Sequence, residues 1–326
     1  MCWEAVWRLV LATAAWGVSF PTAKGLMALQ AVYLPGRPDW FHAALVLGSR
    51  MALAAVIWAC VLAGRLRAMT RLEVFQGSLL GVWGAAGMIL QTHAQQVIPA
   101  STSAFFTQFT SVFIPAWIAW TSRRVPSVRV VCASGLVIFG CGMLSGVDWG
   151  GMGFGVGEWE TVGAALFFTG QILVLERDDF RGNGMDRVAL VMFGVKALIF
   201  WAVVGWGEWV TGFPKGSWGG IGSQPGMWVM LGVLTLCSTL FGYATMIAWQ
   251  PRVSSVQAGL IYASEPVFAT VWALFLPGWY SGLSGITYAN EVVGAAFGVG
   301  ALAIVAANVL IALQAKPEVA PTRGGL

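Results

Sequence analysis

Ten apolar runs, each about twenty residues long, are separated by short polar connections, and nearly all charges lie in those connections. The runs fall at roughly 7–31, 41–63, 74–95, 101–121, 128–146, 157–176, 187–209, 226–249, 255–276 and 290–313. A helix of that length rises far enough to cross the hydrocarbon of a bilayer. In lipid the backbone must satisfy its own hydrogen bonds, which leaves helices or a closed barrel. Unbroken apolar runs lack the in–out alternation of a barrel strand. Composition agrees: 58% of the 326 residues are hydrophobic and 10% charged, against about 25% charged in a soluble domain. The expected fold class is an all-α integral membrane protein with ten transmembrane helices.

Orientation follows from lysine and arginine in the loops. With both ends on the cytoplasmic side, that side carries thirteen basic residues: Arg8, Arg65, Arg67, Arg71, Arg123, Arg124, Arg129, Arg177, Arg181, Arg187, Arg252, Lys316 and Arg323. The other side carries Arg37 and Lys215, and Lys24, Arg50 and Lys196 fall within spans. A missed or invented span would move every later loop to the wrong side. The sequence thus predicts ten spans, both termini cytoplasmic, and a multi-pass protein of the cell (plasma or inner) membrane. The run after Arg8 resembles a signal peptide but reads as the first span, because many runs follow it.

The net charge of +4 comes from scattered residues, which argues against nucleic acid as a partner. The five cysteines form no CxxC and sit mostly in apolar runs, where a thiol is a small hydrophobe. No metal, cofactor, hydrolase elbow, HExxH or P-loop is indicated. Asp178 and Asp179 lie beside Arg177 and Arg181, as in a solvated loop. The Gly-rich segments "TGFPKGSWGGIGSQP" and "PGWYSGLSGITYAN" read as outer connections, either lids or linkers.

A shift of 154 aligns Ala94 with Ala248, Gln96 with Gln250, Ser101 with Ser255 and Ala104 with Ala258. Each half then holds five spans, so the second copy enters the membrane upside down. That is the inverted-repeat plan of secondary transporters, whose solute sites lie near the midplane. The expected organisation is residues 1–150 as the first repeat, 151–315 as the second and 316–326 as a cytoplasmic tail, with "ERDDFRGNGMDR" as the hinge between them.

Polar side chains within spans are costly and therefore informative. Ala104, Gln108, Ser111 and Pro115 share one face of span 4, and the shift maps them to Ala258, Tyr262, Glu265 and Ala269 of span 9. Either these faces line a central cavity, or they pack through small residues and interhelical hydrogen bonds. In span 3, Gly77, Gly81, Gly84 and Met88 lead along one face into Gln91 and Gln95, while His93 points elsewhere and reads as an interfacial residue. Trp16, Ser19 and Phe20 in span 1 and Trp249 in span 8 complete the expected cavity lining. Glu265 is the only acidic residue well inside a span, and Pro266 after it permits a kink. Proton exchange, amine binding and a structural role are all open to it. Arg50 is the most deeply placed cation, Lys24 can snorkel outward, and Lys196 is expected to reach the inner interface; all three are candidate intramembrane charge partners.

These residues resemble the EamA-like permeases of the drug/metabolite transporter superfamily. The resemblance rests on "WGVSFPTAK", Arg50, "PASTSAFFTQFTSVFIPAW", "RRVPSVRVVCASGLVIFGCGMLSG" and "QAGLIYASEPVFATVWALFL". Two features depart from it: "TSRRVP" and "LPGWYSG" stand where an acidic residue often follows spans 4 and 9, and the outer loops are long and Trp-rich. The resemblance implies a carrier, not an enzyme, that moves small organic solutes such as amino acids by alternating access. Its partners would be the solute and the lipid bilayer, with proton coupling, export or import, and monomer or homodimer left open. The alternative is an integral membrane enzyme acting on a lipid-linked substrate, against which stands the lack of a catalytic cluster at either interface.

Overall fold

The computed structural model describes residues 3–123, 125–145, 155–212, 216, 218–292, 294 and 296–312. All secondary structure among them is helical. The elements are α1 (Trp3–Gly17), α2 (Ser19–Tyr33), α3 (Asp39–Val61), α4 (Arg71–Val97), α5 (Ala100–Thr107), α6 (Thr110–Ser122), α7 (Val128–Ser145) and α8 (Val156–Leu175). They continue with α9 (Met185–Val210), α10 (Trp218–Gly222), α11 (Pro225–Val233), a π-helical segment (Leu234–Tyr243), α12 (Ala244–Trp249), α13 (Ser255–Tyr262), α14 (Glu265–Ala273), α15 (Leu276–Ser284) and α16 (Ala296–Ala312).

Each of the ten apolar runs contains helix, the last of them from Ala296 to Ala312. Among the described residues four helices are long and apolar enough to cross a membrane: Asp39–Val61, Arg71–Val97, Met185–Val210 and Pro225–Arg252. A bent pair, Ser255–Ala273 with Leu276–Ser284 at 49°, makes a fifth if counted as one span. These helices fit a membrane location. The exterior does too: large apolar side chains face outward, and Trp120 and Trp209, near helix ends, are 73% and 65% exposed, as in the aromatic belts of bilayer interfaces. The expected boundary near residue 150, the tail 316–326 and Lys215 lie outside the described residues.

The breaks in the runs have local causes. Pro21 has no N–H to offer the Gly17 carbonyl, and the first run divides there into α1 and α2. Pro115 likewise frees the Ser111 carbonyl, which accepts instead from the Ser134 hydroxyl of α7 at 2.7 Å. Pro266 stands second in α14, where a missing donor costs nothing. The runs of spans 4 and 9 each begin with an eight-residue helix, α5 and α13, and break after Thr107 and Tyr262, one residue apart under the shift of 154.

Packing is set by small residues. A Cβ on Gly77 would lie 2.6 Å from Val191, and one on Gly81 would lie 2.7 Å from Val195, so the glycine face of α4 admits α9 at close range. The other flank of α4 packs on α8, α3 packs on α9, and α7 on α16. A Cβ on Gly17 would meet the Ala269 backbone nitrogen at 2.8 Å, which seats α1 on α14. The segment "PGWYSGLSGITYAN", expected as a loop, is largely the helix α15: Pro277 stands second in it, and Leu276, Pro277 and Tyr280 are buried.

The hinge segment is tied to the bundle. Glu73, within 2.8 Å of Arg187 Nε and 2.5 Å of its Nη2, also accepts from the backbone N–H groups of Thr70 and Gly184. Asn183 donates to Gln76, and Trp58 Nε1 to the Asp186 carbonyl. Of the cysteines, Cys60, Cys132, Cys141 and Cys237 are free thiols.

Candidate functional site

The breaks between α1 and α2, α5 and α6, and α13 and α14 meet at a cavity of about 90 Å³, several times the space one water needs. Its wall is built from the end of α1 and start of α2 (Trp16, Ser19), the middle of α3 (Arg50), the second half of α4 (Met88, Gln91, Gln95), the break after α5 (Gln108), α8 (Gln171), the π segment (Ser238, Tyr243) and the break after α13 (Tyr262, Glu265).

Aromatic rings form one side. Trp16 lies 5.4 Å from Tyr243 and 5.1 Å from Tyr262, centroid to centroid. The Tyr262 hydroxyl donates to Gln250 Oε1 at 2.9 Å, and Gln250 Nε2 donates to the Ile172 carbonyl at 3.0 Å, which fixes the ring. The glutamines form another side. Gln91 donates to Thr107 Oγ1 at 2.8 Å, and the Gln108 amide faces the Glu265 carboxyl. Among the described residues Trp16 Nε1, Gln95 Oε1 and Gln108 Oε1 are buried without a hydrogen-bond partner. Buried polar atoms are normally satisfied, so three unsatisfied ones on a single cavity wall mark hydrogen-bonding capacity that a water or solute can use.

Three charged groups surround this space. Arg50 is 4% exposed, donates from Nε to Thr239 Oγ1 at 2.9 Å and from Nη2 to Ser238 Oγ at 3.2 Å. Lys196 is completely buried one layer behind the wall, its Nζ 4.1 Å from the Tyr243 ring centroid and 3.7 Å from Met88 Sδ. Glu265 stands at the first turn of α14. None of the three is in an ion pair among the described residues.

Of the lining expected from sequence, Trp16, Ser19, Gln91, Gln95, Gln108, Tyr262 and Glu265 come together on the cavity, with Arg50 among them. Phe20 instead packs against Ala104 and Ala269. Ser111 turns into its own helix, donating to the Gln108 carbonyl at 2.8 Å. Trp249 lies at the far end of α12, with the guanidinium carbons of Arg8 and Arg252 4.3 Å and 3.8 Å from its ring. Lys24 reaches the Ile98 carbonyl at 3.4 Å. Lys196 does not extend to an interface as expected: the space above Gly84 admits its ammonium, since a Cβ there would lie 2.5 Å from Nζ.

Sequence reasoning missed Gln171, Ser238 and Tyr243. The cluster of hydroxyls at Thr235, Ser238 and Thr239 in an otherwise apolar run was the available signal. His93, read from sequence as an interfacial residue, has its Nδ1 2.8 Å from Glu160 on α8. Glu160 belongs to the other half of the sequence, so no local pattern announces the contact.

No family model matches the chain, and no curated protein matches it either. Among solved structures, 24 chains are similar. One, a crystal structure described only as that of a protein, is 17% identical, with 92% of this chain and 96% of that chain covered, at a TM-score of 0.60. The arrangement of helices therefore recurs in a solved structure whose side chains are largely different.

Proposed function

We propose that the chain is a secondary transporter of small organic solutes, working by alternating access through the central cavity. In this reading it crosses the plasma or inner membrane ten times as two inverted five-span repeats, residues 1–150 and 151–315, with both termini cytoplasmic, as the resemblance to EamA-like permeases implies. The observation that carries it is the pair of matching breaks: Gln108, which caps α5, and Tyr262, the last residue of α13, are equivalent under the repeat shift and both line the cavity. Discontinuous helices at a repeat interface are how such carriers expose backbone and side-chain polarity to a solute.

Packing supports the repeat. Exchanging spans 1 to 5 with spans 6 to 10 converts the contact of α4 with α8 into that of the π segment with α1, and the contact of α4 with α9 into that of the π segment with α3; all four occur. An aromatic and amide lining suits an amphipathic solute.

Two experiments test the reading. Cysteines introduced between residues 210 and 225 should react with an impermeant maleimide from outside intact cells, and those between 178 and 186 should not; the reverse pattern contradicts the topology. Purified protein in proteoliposomes should move at least one member of a panel of amino acids. Gln108→Leu should weaken that movement with normal membrane insertion, whereas no flux of any member, in either direction, would sink the proposal.

A further inference from the structure

Arg50 is held in a way that a structural cation is not. A guanidinium has five N–H donors, and the protein occupies two of them, Nε with Thr239 and one Nη2 hydrogen with Ser238. Both acceptors are neutral hydroxyls, and no carboxylate among the described residues pairs with the group. The occupied donors share the side edge of the fork. The end edge, Nη1 with the second Nη2 hydrogen, is left over on a residue that lines the cavity.

The partners are oriented for this. Thr239 lies in the π segment and donates its own proton to the Leu234 carbonyl, five residues back, at 2.9 Å. Its oxygen is therefore fixed as an acceptor for Nε. Ser238 Oγ also accepts from Arg50 but donates to nothing among the described residues, so its proton is free for a cavity occupant. π-Helical turns interrupt regular helices frequently at functional sites, and this one supplies both hydroxyls that steer the arginine.

We infer that the solute carries a compact anionic group, a carboxylate or similar oxyanion, which seats on the free edge of Arg50 with Ser238 as an added donor. The inference rests on the cavity being the solute site of the proposed carrier. A planar fork matches a carboxylate in two parallel hydrogen bonds, and a cation without a counter-charge in a low-dielectric site favours an anion over its neutral analogue. Glu265 on the same wall forms no ion pair with Arg50 and faces Gln108, which leaves the arginine's charge for the occupant.

The test uses the full chain purified in detergent and two matched pairs of probes, benzoate with benzamide and isovalerate with isovaleramide. Each pair keeps its shape and differs in charge. The acids should raise the unfolding temperature saturably and the amides should not. Arg50→Gln should weaken acid binding roughly tenfold or more, Arg50→Lys should restore part of it, and Ser238→Ala should weaken it less than Arg50→Gln does. If Arg50→Gln does not fold, the Ser238→Ala comparison decides. Equal effects of acid and amide, acid binding indifferent to these substitutions, or no acid binding at all would each overturn the inference. Acid-selective binding without flux in proteoliposomes would sink the transport reading alone, while flux of neutral solutes without acid binding would sink the anion site alone.

Discussion

The Glu73 end of the bundle and the central cavity contain the same kinds of charged side chains and treat them oppositely. At the Glu73 end a carboxylate with 2% side-chain exposure meets a fork of Arg187 and two backbone donors. Around the cavity Arg50 and Glu265 stand within one wall, yet neither has an oppositely charged partner among the described residues. A buried charge that is fully paired holds elements together, and removing its partner is what costs stability. A charge left unpaired inside a membrane protein is expensive, and is retained where an ion or solute completes it. The first region reads as scaffold and the second as site.

This contrast breaks most directly at Glu73. Glu73→Ala leaves Arg187, the Gly184 N–H and the Thr70 cap without their acceptor, and should lower the unfolding temperature of the detergent-solubilised protein by several degrees, the largest loss among these substitutions. Arg50→Gln should cost less. The opposite ranking would mean that Arg50, not Glu73, is the structural charge.

A second effect belongs to the frame that holds the cavity in place. Gly17→Ala brings a Cβ against the Ala269 backbone, which cannot give way as a flexible side chain would. Chemical denaturation should record a loss of about 1–3 kcal/mol, as for other overpacked sites. An unchanged midpoint would show that α1 and α14 are free to separate.

Within the site the expected effects move from stability to function. Gln108→Leu and Tyr262→Leu replace polar by apolar groups, so membrane insertion should hold while the apparent affinity for a transported solute falls. Unchanged affinity in both would return them to helix packing. The smallest effect is expected at His93: the His93–Glu160 pair is partly exposed, with side chains 25% and 20% accessible, and pairs near a surface contribute about 1 kcal/mol or less. His93→Ala should shift the unfolding temperature least of all, and a large shift would place this pair with Glu73 as scaffold.

Much of this arrangement was legible in the chain because it follows from local chemistry. Apolar length marked the runs, Pro266 marked the kink in span 9, and the glycines at 77, 81 and 84 marked the face of α4 that receives α9. What was not legible depends on partners distant in sequence. The π segment contains neither proline nor a glycine break before Gly242; its wide turn is held by Arg50, some 190 residues earlier in the chain. Lys196 looked able to reach an interface because nothing nearby in sequence tells that Gly84 opens a pocket for its ammonium. The helix α15 was masked by glycine and serine, which favour loops in isolation but here present Leu276 and Tyr280 to a buried face.

Counterflow in proteoliposomes tests the central claim most directly. Vesicles loaded with an unlabelled solute from the transported panel are diluted into a trace of the same solute carrying a label. A carrier that alternates its cavity between the two sides should take up label transiently above its external level, faster than vesicles loaded with buffer, and Gln108→Leu should diminish the overshoot. Uptake that is identical with and without internal solute, or absent in both, would contradict the account.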